Sequence, residues 1–426
     1  MLQYQRSILF VGDIIALALA FAIMIAVRFN IHADHIIIAH QALLFGWLFI
    51  LWLIVFFIFD LYNLRRVNPN PRNIGLLFVS TLLNGLIGIA FFYLFSSNDG
   101  ITPKTNLFLV ALFAFILVAV WRRLFYHLFT VRFTRTIATI GDSPLINDLQ
   151  AELAHNPHFG EHIVHWNTIE DADLSKSVNI LIADNADAYK LLSLATTLRA
   201  EPLTLTESYE TFFAKIPLSL VTNEKAMTVM TRHQSRATHF FYRVVEIILA
   251  GMVLIIASPF LAVAIIARLI EDGRPIFYTH KRVGKNGMLF NVYKLRSMTK
   301  DAEKEGVRWA ERGDARVTAV GRILRKTHID EVPQMINIIK GDIAIVGPRP
   351  ERPEFVSQLE KEIPYYFLRH TIRPGFTGWA QIKYRYARSV DDAREKFEYD
   401  LYYLKHRNPM LDMGIIAKTL QIIFTH

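Results

Sequence analysis

VVEIILAGMVLIIASPFLAVAIIA, running from Val244 to Ala267, is the stretch on which the fold turns. It is apolar and long enough to cross a bilayer, whose hydrocarbon core takes about 20 apolar residues of helix. Its flanks are basic at both ends. Arg232, Arg236 and Arg243 precede it, and Arg268, Arg274, Lys281 and Arg282 follow. Lysine and arginine collect on the cytoplasmic side of membranes, so matching flanks favour both ends staying there. Ser258-Pro259 lies near the middle. Proline removes a backbone donor and clashes one turn back. A neighbouring serine can re-satisfy the freed carbonyl in lipid. Two readings stay open on these grounds alone: a kinked helix that crosses, or a re-entrant one that turns at Ser258-Pro259 and returns to its own side.

Upstream, four apolar segments fill the first third of the chain, roughly Ile8–Phe29, Ile36–Phe59, Ile74–Phe95 and Leu107–Phe129. The connection from Asp60 to Arg72 carries Arg65, Arg66 and Arg72, and Arg122, Arg123, Arg132 and Arg135 cluster around the end of the fourth segment. The turns Asn30–His35 and Ser96–Asn106 hold a single Lys104 between them. This asymmetry puts the N-terminus and everything after Phe129 in the cytoplasm. The first segment lacks a small-residue cleavage site and reads as a retained helix.

The bulk numbers agree with a membrane protein. Of 426 residues, 52% are hydrophobic, only 20% are charged and 31 are Phe. The formal charge of +9 fits cytoplasmic loops and anionic headgroups; no nucleic-acid recognition module accompanies it, so no nucleic-acid partner is expected. The absence of cysteine excludes disulfides, thiolate metal sites and cysteine nucleophiles.

From Arg135 to about Thr222 the chain reads as a small Rossmann-like α/β unit. Ile137–Ile140 and Val178–Ala183 look like buried strands, and Leu145–His155 and Ala188–Arg199 like helices. Only Gly141 stands where a dinucleotide fingerprint needs three glycines. His155, His158, His162 and His165 are separated by Pro157 and Gly160 and read as a solvated loop. The expected architecture is an integral membrane α-helical domain (1–131), a cytoplasmic Rossmann-like α/β domain (132–225), a basic linker (226–238) and a mixed α/β membrane-associated catalytic domain (239–426). The last contains the re-entrant segment at about 244–267.

The chemistry concentrates in Arg325-Lys326-Thr327-His328-Ile329-Asp330-Glu331-Val332-Pro333-Gln334. Glu331–Ile339 fits a helix with Asp330 near its N-cap, Pro333 in its first turn and Lys340-Gly341 closing it. Capping needs only one carboxylate, and here there are two. Lys294, Arg296, Arg325 and Arg349 supply cations nearby in sequence, although each arginine taken alone also reads as a surface or headgroup contact. A carboxylate attacking a pyrophosphate must overcome charge repulsion, which a divalent cation and arginine forks neutralise. Mg²⁺ takes one or two carboxylates plus phosphate oxygens, and an aspartate can carry a phosphoryl group. A crossing at Val244–Ala267 would expel these phosphate-handling residues from the cytoplasm, which favours the re-entrant reading.

At Tyr293–Met298, Leu324–Gln334, Gly341–Pro350 (GDIAIVGPRP) and Arg373–Gln381 (RPGFTGWAQ) the chain resembles the bacterial polyprenyl-phosphate sugar-1-phosphate transferases, the monotopic phosphoglycosyl transferases. The resemblance covers about Thr238 to His426, and the four-span head resembles the large members that initiate exopolysaccharide, capsule or O-antigen synthesis. It implies transfer of sugar-1-phosphate from a UDP-sugar to undecaprenyl phosphate with release of UMP, glucose being the first expectation for the sugar. It also implies Asp330 as nucleophile, Glu331 as its partner, Mg²⁺ at the pair, Lys294, Arg296 and Arg349 at basic positions, and a re-entrant break at Ser258-Pro259. Inner-membrane lipids are expected to surround the chain, and the middle domain offers a surface on which two copies could pair as a homodimer. Ala344 stands where a serine is usual, Glu246 near where an aspartate is usual, and Tyr293 and Leu295 are variants beside the basic pair.

Two other readings compete. A membrane-tethered nucleotide-sugar epimerase or dehydratase needs a complete glycine fingerprint and a Tyr-x-x-x-Lys pair, and the chain has neither. A non-enzymatic membrane scaffold leaves the Asp-Glu pair unexplained. Arg373–Gly378 reads as a turn-rich loop near a ligand or as a plain structural turn. Met410–Phe424 has apolar residues at helical spacing, suited to the membrane interface or to packing on the domain.

Overall fold

The computed structural model describes residues 2–29, 35–59, 61–62, 67, 71–95, 103–128, 135–155, 161–184, 188–230, 236–302, 314–384 and 389–424. The chain divides into two compact units, Met1–Ser208 and Tyr209–His426.

The first unit opens with α1 (Leu2–Phe29), α2 (His35–Ile58), α3 (Pro71–Phe95) and α4 (Pro103–Tyr126), each long and apolar enough to cross a membrane. Leu17, Met24, Phe45, Leu48, Trp52, Phe92 and Leu107 pack between them. Charge is also buried there. Asp13 of α1 and Arg122 of α4 pair at 2.6 Å, and a second guanidinium nitrogen of Arg122 donates to the Leu61 carbonyl. In a low-dielectric bundle such a pair must be mutually satisfied, and it fixes the register of α1 on α4.

The same unit carries a four-stranded parallel sheet of β1 (Arg135–Ile140), β2 (Glu161–Trp166), β3 (Ile180–Ala183) and β4 (Glu201–Thr204), in the order β2-β1-β3-β4. Its crossover helices are α5 (Pro144–His155) and α6 (Ala188–Leu198). β3 is a buried continuous apolar run, and β1 buries Ile137, Ala138, Thr139 and Ile140, as parallel central strands require. The histidine-rich stretch is a strand over 161–166, not a loop: it is an edge strand, so His162 and His165 tolerate solvent while Trp166 is buried. The His165 Nδ1 lies 2.8 Å from the Gln150 amide. His158 lies outside the described residues.

The domain boundary falls earlier than residue 225. After α7 (Leu205–Phe212), the segment to α8 (Asn223–Met230) packs into the second unit, with Ile216 and Ala226 buried against Leu359, Leu368, Phe397 and Leu401. Trp379 donates its indole N–H to the Ala214 carbonyl at 2.8 Å, and Leu218 N–H donates to Glu398. Nor is 226–238 simply a linker: α8 extends to Met230 and the next helix begins at Arg236. Its polar sequence hides the few apolar side chains that anchor it.

The second unit continues with α9 (Arg236–Asp272), the hairpin strands β5 (Phe277–Val283) and β6 (Leu289–Leu295), α10 (Ala319–Thr327), α11 (Gln334–Lys340), β7 (Ala344–Val346), α12 (Pro353–Glu362), β8 (Gly375–Thr377), α13 (Trp379–Lys383), α14 (Val390–His406) and α15 (Pro409–Phe424). α9 is helical through all 37 residues, Pro259 included. Proline at 259 leaves the carbonyl of residue 255 without its helical donor, and Ser258 Oγ donates to that carbonyl at 2.7 Å. Both arms of α9 pack on the same unit. Ala250 is buried with Met335, Ile338 and Ile343, and Ala264 with Leu295 and Leu324. Between them Ile255, Ile256, Phe260 and Val263 stay exposed.

β7 pairs with β8 in parallel, Ala344 opposite Gly375 and Val346 opposite Thr377. The two chains approach so closely that a Cβ on Gly375 would lie 2.0 Å from the Gly347 nitrogen. The glycines of the GPRP and RPGFTG segments therefore serve a backbone crossing. That crossing fixes the stem from which Arg349 projects.

Candidate active site

Asp330 and Glu331 lie in a single 3-10 turn, Ile329–Glu331, between α10 and α11. The expected helix over Glu331–Ile339 begins at Gln334 instead, with Pro333 in the capping position, so Asp330 caps nothing. His328 adopts a left-handed conformation (φ 57°) and ends α10. This sharp reversal turns both carboxylates towards β6. Gly341, also left-handed, closes α11 as expected and returns its N–H to Asn337 and Ile338. Asn337 is fully buried and ties α11 to β6: its Oδ1 accepts from Tyr293 N–H, and its amide donates to Asn291 O and Asp342.

Glu331 is held from two sides. Its Oε1 lies 2.6 Å from Lys294 Nζ and 2.9 Å from Arg349 Nη2. Burial alone would raise its pKa, but Lys294 and Arg349 outweigh that and hold the carboxyl far below the usual range. Asp330 behaves oppositely. It is buried, and burial first, then the neighbouring Glu331 charge, push it up to about 6 against the pull of Lys294, Arg325 and His328. Among the described residues no hydrogen bond or ion pair reaches its carboxylate. One member of the pair is thus held in place and favoured as the anion, and the other is uncommitted among the described residues.

The other sequence-selected cations part company. Arg349 joins the site and also donates to Gln381 Oε1 at 3.3 Å. Arg325 donates its Nε to Ser297 Oγ at 2.9 Å and contributes to the field at Asp330. Arg296 does not face the pair: it is buried against the end of α9, bonded to the Asp272 and Gly273 carbonyls and paired with the Asp272 carboxylate at 3.0 Å. It closes a helix C-terminus, where a cation is favoured. Ser258 and Pro259 lie on the exposed middle of α9, apart from this network.

Arg282, His280 and Arg352 belong to the site's surroundings and were not picked out by motif. Tyr278, His280 and Arg282 share one face of β5, and Tyr278 sits opposite Lys294 in the hairpin register. Arg282 Nε donates to His280 Nε2 at 2.7 Å, and Arg352 donates to the Tyr278 hydroxyl. Burial first, then Arg282, Lys294, Arg352 and Arg349, drive the His280 imidazole down to about 3. Burial keeps the imidazole neutral, and the four cations near it add positive charge to the surroundings of Glu331. The period-two spacing in β5 was the available signal.

The donor set fits a divalent cation. Asp330 is open, and both contacts to Glu331 fall on Oε1, leaving Oε2 available. Two carboxylates with room for phosphate oxygens is what Mg²⁺ accepts. Among the described residues no cluster of three or more His, Asp or Glu side chains forms a self-sufficient metal site, so the substrate would complete the coordination.

A membrane-held α/β unit with one free and one clamped carboxylate in a field of arginines defines a phosphate-handling protein of the membrane surface. Residues 237–426 match the family described as bacterial sugar transferase, and the chain belongs to it. It is 44% identical over 187 residues to the UDP-N-acetylgalactosamine-undecaprenyl-phosphate N-acetylgalactosaminephosphotransferase of Aeromonas hydrophila, covering 44% of each chain. It is 34% identical to the UDP-glucose:undecaprenyl-phosphate glucose-1-phosphate transferase of Caulobacter vibrioides over 43% of this chain and 69% of the relative. The enzyme of the same description from Escherichia coli K12 is 31% identical over 59% of this chain and 56% of its own length. The matched region thus spans about half the length of the Aeromonas and E. coli relatives.

Proposed function

We propose that the chain transfers sugar-1-phosphate from a UDP-sugar to undecaprenyl phosphate at the cytoplasmic face of the inner membrane, opening the synthesis of a surface polysaccharide. The observation that carries this reading is the Asp330 carboxylate, buried and, among the described residues, unpartnered beside a Glu331 locked by Lys294 and Arg349. Asp330 Oδ attacks the β-phosphorus, the bond to the bridging oxygen breaks, and UMP leaves with that oxygen. The sugar phosphate stays on Asp330 as an acyl phosphate. A phosphate oxygen of the lipid then attacks the same phosphorus and returns the carboxylate. Asp330 and Glu331 would hold Mg²⁺, which would supply charge neutralisation for the approach of two anions. Arg349 and Lys294 orient Glu331 and present positive charge to the diphosphate.

The packing of both α9 arms on one soluble unit supports a re-entrant segment. A crossing helix would place a hydrocarbon layer of about 30 Å between its ends, yet Arg243 donates to Ile338 O and Ile339 O while Arg268 donates to Thr318. The parallel sheet of the first unit is read as a Rossmann-like structural domain. Identity is higher to the N-acetylgalactosamine relative than to the glucose relatives, so both sugars belong in the first assays.

Membrane-embedded protein given UDP-sugar labelled in the β-phosphate, without lipid, should acquire covalent label at Asp330 and release UMP. A reaction that needs both substrates together before any UMP appears would overturn the two-step route.

A further inference from the structure

The stretch Gly347–Glu351 is tied down residue by residue. Gly347 N–H donates to Thr377 O at 2.9 Å, and Pro348 O accepts from Gly375 N–H at 2.8 Å, both partners lying in β8. Pro350 O accepts from Arg282 at 3.0 Å and Glu351 O from Val283 N–H at 3.0 Å, both partners lying in β5. Arg349 stands between two prolines. A proline ring fixes its own φ and restricts the residue before it. The Arg349 carbonyl accepts from Arg369 Nη2 at 2.9 Å.

Arg369 makes that bond from inside the domain. It is buried, its Nη1 donates to the Tyr366 hydroxyl, and its Nη2 also pairs with Asp400 Oδ2 at 3.1 Å. The guanidinium lies 4.9 Å from the centre of the Tyr366 ring. A buried ion pair adds little net stability, because desolvation offsets the Coulombic gain. An apolar side chain could fill this place without that cost, but it could not hold a carbonyl. Among the described residues no hydrogen bond or ion pair joins Arg369 to Asp330 or Glu331, so its influence on them runs through Arg349.

The turn that carries Arg369, Tyr366–His370, is braced in turn. Tyr366 and Leu368 are buried with Phe397 and Leu401 of α14 and with Ile216 and Ala226. The Tyr365 hydroxyl donates to Asn223 Oδ1 at 2.7 Å. Residues ahead of the family-matched stretch 237–426 thus complete the support. From this brace a line of contacts leads to the chemistry. Arg369 holds the Arg349 backbone, and Arg349 Nη2 meets Glu331 Oε1 at 2.9 Å. A long side chain reaches one point reproducibly only when its root is fixed.

We propose that Arg369 is a positioning residue of the transfer reaction, acting through the Arg349 backbone to keep that guanidinium on Glu331. The assignment rests on the reading of Asp330 and Glu331 as the transfer site.

The test uses full-length protein in nanodiscs, turning over UDP-sugar with undecaprenyl phosphate. Arg369→Lys keeps a cation beside Asp400, but one ammonium cannot serve Asp400, Tyr366 and the Arg349 carbonyl together. It should lower kcat/KM about tenfold, the effect of one charge-assisted hydrogen bond. In an Arg349→Met background the same change should alter kcat/KM less than twofold. A residue that only supports the fold gives equal losses in both backgrounds. Equal losses, or no loss in the wild-type background, would overturn the proposal. If the lysine variant does not fold, Arg369→Gln with Asp400→Asn, which leaves no unpaired buried charge, should give the same cycle. A readout without turnover is the rate at which phenylglyoxal modifies Arg349. It should rise several-fold in Arg369→Lys, while Arg268, buried in α9, stays unmodified. An unchanged rate at Arg349 would overturn the proposal equally. A faster rate in a protein that never releases UMP would keep the positioning role and sink the transfer reaction instead.

Discussion

Arg373 grips Glu246 with both terminal nitrogens, at 2.9 and 3.2 Å, while Arg243 donates to the same carboxylate at 2.9 Å. One acidic residue near the start of α9 thereby joins the membrane helix to the loop that leads into β8. The planar fork of arginine matches a carboxylate in this geometry, and all three side chains are largely withdrawn from solvent. Glu246→Ala should leave two cations facing each other and cost about 3 kcal/mol, the usual loss when one partner of a buried pair is removed. A thermal melt of the nanodisc-embedded protein checks this. Glu246→Gln should recover part of the loss, because the amide oxygen still accepts.

Removing Lys294 should act on rate more than on folding. Lys294→Met strips Glu331 of its shortest contact and should lower kcat by about 100-fold, as loss of a preorganised charge partner does. Arg349→Lys should restore little, since one ammonium cannot reach both Glu331 and Gln381. Steady-state kinetics with UDP-sugar varied will separate these effects from binding.

The pH dependence follows from Asp330. Its pKa is raised to about 6, and only the ionised form attacks. The rate should therefore fall as pH drops through about 6, or somewhat lower where a bound divalent cation favours the anion. In Lys294→Met the same limb should move up, because a lowering influence has gone. Asp330→Asn should abolish both covalent labelling and UMP release at every pH.

Ser258 and Pro259 should be coupled. Ser258 Oγ serves the carbonyl that Pro259 leaves without a donor, so Ser258→Ala should destabilise the wild type by about 1 kcal/mol, typical of side-chain hydrogen bonds within membranes. In a Pro259→Ala background the helix can supply its own N–H, and Ser258→Ala should then be silent. A double-mutant cycle of melting temperatures reads the coupling. Additive effects would contradict it.

The sequence makes some of this architecture legible and hides the rest for identifiable reasons. The membrane helices and β3 are apolar runs, and β1 carries the apolar Ile137, Ala138 and Ile140, so length and composition suffice to find them. β2 escaped because an edge strand carries histidines on its solvent side. The segment around Ile216 and Ala226 looked like the end of the middle domain, because its few apolar anchors meet partners from 359 to 404. At the site, the density of charge was visible but its allocation was not. Lys294 and Arg349 reach Glu331 across 37 and 18 residues, and nothing local distinguishes them from Arg296, which serves the end of α9. The reversal at His328 that turns Asp330 away from any capping role depends on a left-handed backbone that sequence spacing does not reveal.

The way α9 is built in has a practical consequence for anyone handling the protein. Ala250 and Ala264 are walls of two separate interior clusters. Excising the greasy segment to obtain a water-soluble fragment would open both interiors at once, so the smallest preparation that can keep its shape is one that brings its own patch of detergent or lipid.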